Sequence, residues 1–272
     1  MKIGLIYPQT ELGGDPVAVR EIGLAAEALG FDHLLAYDHV LGATHDREPK
    51  LNGPYTEKQP FHDPLVMFGY LSAITRRIGF ATGVLILPQR QTALVARQAA
   101  DVALLSDDRL RLGVGLGWNY VEYEALGQDF ASRGKRVSEQ VELLRKLWSE
   151  PLVDFTGAFD RVDRAALNPR AARIADGFIC ADGAADAFAQ AARLRDLLDQ
   201  EGRAKEGFGL QCNMLKAKSP EQVVETALRW HEAGGTHAAF ATMGQGMETR
   251  GQHLGYIESV ADALRKEGML EG

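Results

Sequence analysis

The sequence predicts a single (β/α)8 TIM barrel, on three observations. Short apolar runs alternate strictly with longer amphipathic segments, a pattern that favours parallel strands joined by helices. Right-handed crossovers bring eight such units together as a closed barrel. The length of 272 residues lies within the range of that fold, and a 46% hydrophobic content can fill one large core. We therefore predict one domain over residues 1–272.

Boundary signals define the predicted elements in chain order. Asp15 and Pro16 are typical of a helix start and Gly30 of a helix end, and Asp63 with Pro64 indicates a second helix start. The predicted strands are 3–7, 33–37, 78–87, 110–116, 178–181, 208–215 and 237–242. The predicted helices are 15–30, 63–75, 92–105, 132–148, 185–200, 219–234 and 256–266. These seven strands are one fewer than a closed barrel needs.

Two stretches interrupt the alternation. Residues 41–62 are too long and too rich in Gly, Pro and charge for an ordinary strand-to-helix connection, and we predict a lid there. Residues 151–169 contain two short alternating runs around Gly157, which predict a small hairpin outside the barrel.

The charge and composition of the chain exclude several classes of binding partner. A net charge of −7 and the lack of a Lys or Arg run argue against nucleic acid and against an anionic membrane surface. The N-terminus lacks the long apolar region of a signal peptide, and no apolar stretch approaches the length of a membrane span. Cys180 and Cys212 each lie in a short apolar run and are interpreted as reduced core thiols. We therefore expect a cytoplasmic protein whose partner is a small molecule and neither nucleic acid nor a membrane.

Reacting groups of such a barrel lie at the carboxyl ends of its strands. The second predicted strand is followed by Asp38 and His39. An imidazole can exchange a proton with a substrate, and a neighbouring carboxylate can fix its tautomer or stabilise its charged form. We therefore propose both as catalytic candidates. The alternative is that Asp38 caps the loop and His39 fills the rim.

Glycines mark the third and fourth predicted strands. Gly83 indicates a bulge or a close backbone approach, such as a flat ring requires, although simple packing would also explain it. Gly113, Gly115 and Gly117 remove side chains from one face of the strand, which predicts a cleft wide enough for a ring system, with Trp118 and Asn119 at its mouth. Barrel packing is the alternative. The glutamates that follow, at positions 122 and 124, are expected to form only a solvated helix face.

The last predicted strand leads into Thr242 and Gly244, whose hydroxyl and backbone N–H groups are candidates for binding a cofactor phosphate. A glycine-rich turn without a ligand is the alternative. No metal site is predicted, because the end of the first strand lacks the paired histidines of a metal-dependent hydrolase.

Taken together, these strings resemble the luciferase-like monooxygenase superfamily, in particular its coenzyme F420-dependent oxidoreductase branch. The strings are AYDHV (36–40), TGVLILP (82–88), GVGLGWNYVEYEALG (113–127), SRGKRVSEQVELLRKLW (132–148), AARIADGFI (171–179) and THAAFATMG (236–244). The resemblance covers nearly the whole chain, and 113–148 is its most specific part.

The resemblance implies a deazaflavin ring over a bulge that contains a non-proline cis peptide, here Gly83–Val84. It implies that Asp38 and His39 face substrate and cofactor, that Asn119 lies near the ring, and that the protein is a homodimer. A glutamate that some members use as proton donor corresponds to Leu116 here, which argues against sugar-phosphate substrates.

A further departure lies between Arg170 and Ala171, where the family places the fifth strand and a phosphate-binding Gly-Gly turn. Either the protein lacks this segment, or the segment belongs to the protein and is missing from the printed sequence. An open barrel of seven strands would expose two unpaired edges, which favours the second explanation.

Three functions follow from these expectations. The leading one is hydride transfer with F420. An FMNH2-dependent monooxygenase would use the same barrel with FMN. A degenerate barrel that has lost its phosphate loop would serve only as a binding or structural subunit.

Overall fold

The computed structural model describes residues 1–12, 14–168, 177–181, 186–200 and 207–271. The helices are α1 Pro16–Ala28, α2 Pro64–Ile74, α3 Thr92–Leu105, α4 Tyr120–Ala125, α5 Arg133–Ser149, α6 Ala187–Gln200, α7 Pro220–Glu232 and α8 Arg250–Lys266. The strands are β1 Lys2–Ile6, β2 His33–Ala36, β3 Gly79–Thr82, β4 Leu85–Ile86, β5 Leu110–Arg111, β6 Val114–Gly115, β7 Val153–Thr156, β8 Arg161–Ala165, β9 Gly177–Ala181, β10 Gly209–Met214 and β11 His237–Ala241.

The chain divides into two compact units. The first comprises Met1–Ala36, Ile74–Ala81 and Ala175–Gly272, and the second comprises Tyr37–Ala73 and Thr82–Ile174. In the first unit the strand order is β3-β2-β1-β11-β10-β9. The pairings of β1 with β2 and β11, and of β10 with β9 and β11, are all parallel. This parallel α/β architecture agrees with the predicted fold class, while closure into a full barrel stays a prediction.

Apolar strand residues form the core of the first unit. Ile3, Leu5 and Ile6 of β1 are 0% exposed, as is Phe240 of β11. Strands buried on both faces are typical of parallel sheets covered by helices. Trp230 of α7 is also fully buried, and its indole N–H donates to the His237 carbonyl at 2.9 Å.

The second unit contains the short strands β4 and β6, which pair in parallel with Leu85 opposite Val114. It also contains the predicted hairpin, because β7 and β8 pair antiparallel. Glu139 of α5 fixes the hairpin turn by accepting the backbone N–H groups of Ala158, Phe159 and Asp160 at 2.7 to 2.8 Å. The two runs around Gly157 thus form the predicted antiparallel pair, while the place of the hairpin outside the barrel stays a prediction.

Three predicted boundaries were wrong. The predicted strand 78–87 is split into β3, β4 and a 3-10 turn at Leu87–Gln89, and the predicted strand 110–116 is split into β5 and β6. The closing helix begins at Arg250 instead of residue 256, because Thr249 and Gln252 form a reciprocal capping box. Arg170 and Ala171, between which the resemblance places a fifth strand, lie outside the described residues.

Candidate active site

Asp38 follows β2, and its carboxylate is hydrogen-bonded to a backbone N–H group and to a guanidinium group. Its side chain is 0% exposed. One carboxylate oxygen accepts the Ile86 N–H at 2.9 Å, and the other accepts an Arg90 N–H at 2.7 Å. The same Arg90 nitrogen donates to Asp63 at 3.0 Å. Burial raises the pKa of the Asp38 carboxyl, although the Arg90 charge opposes that shift.

The structure shows no hydrogen bond between Asp38 and His39. The expectation that Asp38 fixes the tautomer of His39 was therefore wrong. The physical reason is that each side chain has another partner: Asp38 accepts from the Ile86 N–H and from Arg90, and the His39 Nδ1 lies against Glu122. Asp38 instead connects the loop after β2 to β4 and to Arg90.

His39 is held by Glu122 of α4. The His39 Nδ1 lies 3.1 Å from Glu122 Oε1, which also accepts the Val40 N–H at 2.9 Å and the Leu41 N–H at 3.1 Å. The other carboxylate oxygen accepts the Gln89 side-chain N–H at 3.0 Å. Burial raises the pKa of the Glu122 carboxyl, but the hydrogen bonds from His39, Gln89 and Leu41 outweigh burial and leave that pKa below its ordinary value.

Glu122 contradicts the expected solvated face, because its side chain is 0% exposed. Glu124 is exposed, as expected. One signal in the sequence could have identified Glu122. Asn119 is a good helix cap, and a glutamate three residues after a cap lies in the first helical turn, close to the chain that precedes the helix.

Two aromatic rings from the predicted lid, together with Trp118, surround His39. The His39 ring centroid lies 4.7 Å from that of Phe61, 5.2 Å from that of Tyr55 and 5.6 Å from that of Trp118. All are edge contacts. The described lid residues form neither helix nor strand. The side chain of His39 keeps 10% of its surface exposed, and among the described residues none hydrogen-bonds its Nε2. The imidazole thus has one fixed nitrogen and one available nitrogen.

The Gly83–Val84 peptide is cis, as the resemblance implies. It lies between β3 and β4, and both of its residues are half-buried although the flanking Thr82 and Leu85 are buried. The interruption of the strand therefore presents an accessible stretch of backbone.

Gly115 of β6 and Gly117, two residues later, make room for the side chains of Val84 and Ile86. A β-carbon at Gly115 would lie 2.3 Å from Val84 Cγ2, and one at Gly117 would lie 2.8 Å from Ile86 Cγ2. Gly117 also has a φ of +67°, which favours glycine. The predicted cleft is thus partly filled at these two positions, by the side chains of Val84 and Ile86. What is accessible is the half-buried surface of Val84, Val114 and Gly115.

Asn119 caps α4, and both ends of its amide have protein partners. Its Oδ1 accepts the Val121 N–H at 3.1 Å, and its Nδ2 donates to the Leu41 carbonyl at 3.2 Å. The residue is 1% exposed. Trp118 packs against Gly53 of the lid, where a β-carbon would lie 2.2 Å from the indole. These contacts place Trp118 and Asn119 beside His39 in the second unit.

Thr242 and Gly244 belong to the first unit. Thr242 is 0% exposed, and its hydroxyl has no partner among the described residues. The Gly244 N–H donates to a carboxylate oxygen of Glu11 at 2.7 Å. The N–H group that was predicted to bind phosphate therefore already donates to a carboxylate.

Metal binding and membrane insertion are two other functions on which the described residues bear. Among the described residues, no group of three or more His, Cys, Asp or Glu side chains is arranged to hold a metal ion. No helix in the described part of the chain combines the length and the apolar character needed to cross a bilayer.

Known proteins resemble this chain in sequence and in fold. An uncharacterized protein of Mycobacterium tuberculosis is 35% identical over 150 residues, which are 53% of this chain and 52% of that protein. The chain thus spans about half the length of the curated relatives it matches first. A solved F420-dependent secondary alcohol dehydrogenase in complex with an F420-acetone adduct superposes with a TM-score of 0.75 at 16% identity, over 97% of this chain and 99% of that one.

A riboflavin lyase (RcaE) solved with modified FMN and riboflavin superposes with a TM-score of 0.76 at 16% identity, over 100% of this chain and 92% of that one. Likenesses at this identity show the fold alone. The family described as luciferase-like monooxygenase matches residues 2–271. The chain therefore belongs to the luciferase-like monooxygenase family.

Proposed function

We propose that this chain is an oxidoreductase that uses coenzyme F420 for hydride transfer to or from a small organic substrate, on a closed (β/α)8 barrel. One observation carries the proposal. His39 has its Nδ1 fixed by the buried Glu122 carboxylate and its Nε2 available, within a wall of aromatic rings. Such an imidazole can move a proton to and from a bound substrate.

The residues of the second unit fit the ring of the cofactor. Gly83, Val84 and Gly115 form a half-buried apolar surface. Because two of these residues are glycines, few side-chain atoms project from it. A flat ring system needs such a surface. These residues would hold the ring, with Trp118 and Asn119 shaping the adjacent wall. Reduced F420 donates a hydride and its oxidised form accepts one.

The protein residues supply proton transfer and exclusion of water. His39 would take the proton from a substrate hydroxyl or return it to a carbonyl oxygen. Tyr55 and Phe61 of the lid would shield the imidazole from bulk water. Asp38 would act indirectly, since it fixes the Ile86 backbone and Arg90.

The residues predicted to bind the phosphate of the cofactor fit that role less well. The Gly244 N–H is already bonded to Glu11, and Thr242 is completely buried. Binding of a phosphate at these residues would require Glu11 to move away, since two anions would repel each other. Thr242 and Gly244 therefore stay predictions as cofactor ligands.

FMN is the second candidate cofactor. A fold shared with a riboflavin lyase that was solved with modified FMN supports an FMNH2-dependent monooxygenase as the alternative. The same apolar surface at Val84 and Gly115 would accept either ring.

Parallel titrations with F420 and FMN test the proposal, followed by turnover assays with small alcohols and ketones. We expect F420 to bind more tightly and to be reduced by an alcohol. His39→Gln should keep F420 binding and lose turnover by roughly 10² to 10⁴-fold, the usual contribution of a general acid or base. Glu124→Gln, an exposed change nearby, is the control.

Two outcomes would contradict the proposal. Preferential binding of FMN with substrate-dependent oxygen uptake would establish the monooxygenase instead. Binding of neither cofactor would favour the non-catalytic barrel.

A further inference from the structure

Glu122 is the most heavily bonded carboxylate near the candidate site. It is 0% exposed and accepts hydrogen bonds from the His39 ring, from Gln89 and from two consecutive backbone N–H groups. A buried carboxylate with this many donors is stabilised in its ionised form. An ionised carboxylate has only acceptor oxygens.

This chemistry determines which nitrogen of His39 carries the proton. If Nδ1 were unprotonated, its lone pair would face Glu122 Oε1 at 3.1 Å, and two acceptors would repel each other. With a proton on Nδ1, the contact is a charge-assisted hydrogen bond. The proton therefore stays on Nδ1 in both the neutral and the charged imidazole.

We propose that Glu122 is a positioning residue that holds His39 as the Nδ1–H tautomer, so that the proton of the reaction is exchanged at Nε2. The role of Nε2 rests on the proposed function, whereas the tautomer does not. During oxidation of an alcohol, Nε2 accepts the hydroxyl proton while the carbon would give up its hydride to oxidised F420, and the ring becomes an imidazolium, whose charge the Glu122 carboxylate stabilises. During reduction of a carbonyl, the same proton returns to the substrate oxygen.

A merely structural role makes a different prediction. Glu122 also anchors the start of the lid through the Val40 and Leu41 N–H groups. Glu122→Gln keeps an amide oxygen in place to accept these N–H groups but removes the negative charge. Glu124→Gln makes the same chemical change at an exposed position of the same helix and is the matched control.

The tautomer is measured by ¹H–¹⁵N spectroscopy of protein labelled at histidine, without cofactor, at about pH 8.5, where an ordinary imidazole is neutral. The chain has seven histidines, so the signal that disappears in His39→Gln identifies the residue. We expect a protonated Nδ1 and an unprotonated Nε2. A neutral ring in the wild-type protein with its proton on Nε2 and none on Nδ1 would overturn the inference, even if Glu122→Gln fails to fold.

The charge is tested with the two glutamine variants. The Nδ1 proton resonance should move upfield in Glu122→Gln, because a neutral acceptor replaces a charged one, and should not move in Glu124→Gln. In turnover with F420, kcat of Glu122→Gln should fall tenfold or more, with KM within about twofold. A spectrum or a kcat identical to that of Glu124→Gln would contradict the role of the charge. Failure of F420 to bind would overturn the proposed function and leave the tautomer standing.

Discussion

Val84 lies over Gly115 so closely that a single methyl group would disturb the contact. A β-carbon at Gly115 would come within 2.3 Å of Val84 Cγ2. We expect Gly115→Ala to destabilise the protein by about 1–3 kcal/mol, the usual cost of overpacking, and to weaken cofactor binding by displacing Val84. Urea unfolding and the F420 titration measure the two effects.

Gly134→Ala is the control for this substitution. Gly134 lies in α5, and a β-carbon there would have no atom within 4 Å. Alanine should therefore be neutral or slightly stabilising at that position. Equal effects of the two variants on stability would contradict the packing explanation.

Arg90 binds one buried and one partly exposed carboxylate, which allows a matched comparison. The Asp38 side chain is 0% exposed and that of Asp63 is 34% exposed. Asp38→Asn should cost about 3–5 kcal/mol, because it breaks a buried ion pair. Asp63→Asn keeps the cap on α2 and should cost about 1 kcal/mol or less. Denaturant unfolding of the two variants is the measurement, and a smaller loss for Asp38→Asn would refute the ranking.

Position after a strand made His39 a catalytic candidate from the sequence, because barrel enzymes place reacting groups there. Sequence adjacency, however, suggested Asp38 as its partner, whereas the actual partner is Glu122, 83 residues away. A contact between residues this far apart depends on tertiary packing. Periodicity and local motifs do not encode it.

The hairpin β7–β8 depends on one glutamate. Glu139 accepts three N–H groups of the turn. Burial raises the pKa of Glu139, but these hydrogen bonds outweigh burial and leave that pKa below its ordinary value of 4.5. The ionised form therefore stabilises the fold above about pH 4.5, and this contribution is lost as pH falls through the lowered pKa.

Glu139→Gln should consequently cost about 1 kcal/mol at pH 7, since an amide cannot accept all three N–H groups. The difference from wild type should shrink at pH 3, where Glu139 becomes protonated. Unfolding at both pH values measures it, with Glu142→Gln, exposed on the same helix, as the control. A deficit that is unchanged at pH 3 would show that ionisation is irrelevant.

Elements with strong local signals were predicted most accurately. Helix α3 has the predicted bounds, and Asp15 and Ser219 cap α1 and α7 as their positions indicated. Strands β3 and β4 were predicted as one, because apolar character alone does not reveal where the ladder is interrupted. The start of α8 was missed because its first turn is polar, although the Thr249–Gln252 capping box was present in the sequence.

At the scale of the whole molecule, the homodimer implied by the resemblance stays a prediction. Light scattering coupled to size-exclusion chromatography should give twice the chain mass of 29.7 kDa. A single-chain mass at micromolar concentration would contradict it. Closure into a full barrel also stays a prediction. The sequence predicts seven strands where a closed barrel has eight, and Arg170 and Ala171, between which the resemblance places the remaining strand, lie outside the described residues.

The attachment of the lid to Glu122 bears on how new specificities can be engineered. The carboxylate holds the backbone of Val40 and Leu41, which precede the rest of the predicted lid. Residues 43–60 could therefore be exchanged for segments of other length or polarity while the tether of the imidazole stays intact. Grafted libraries over that segment are expected to alter substrate choice while keeping the contact between Glu122 and His39.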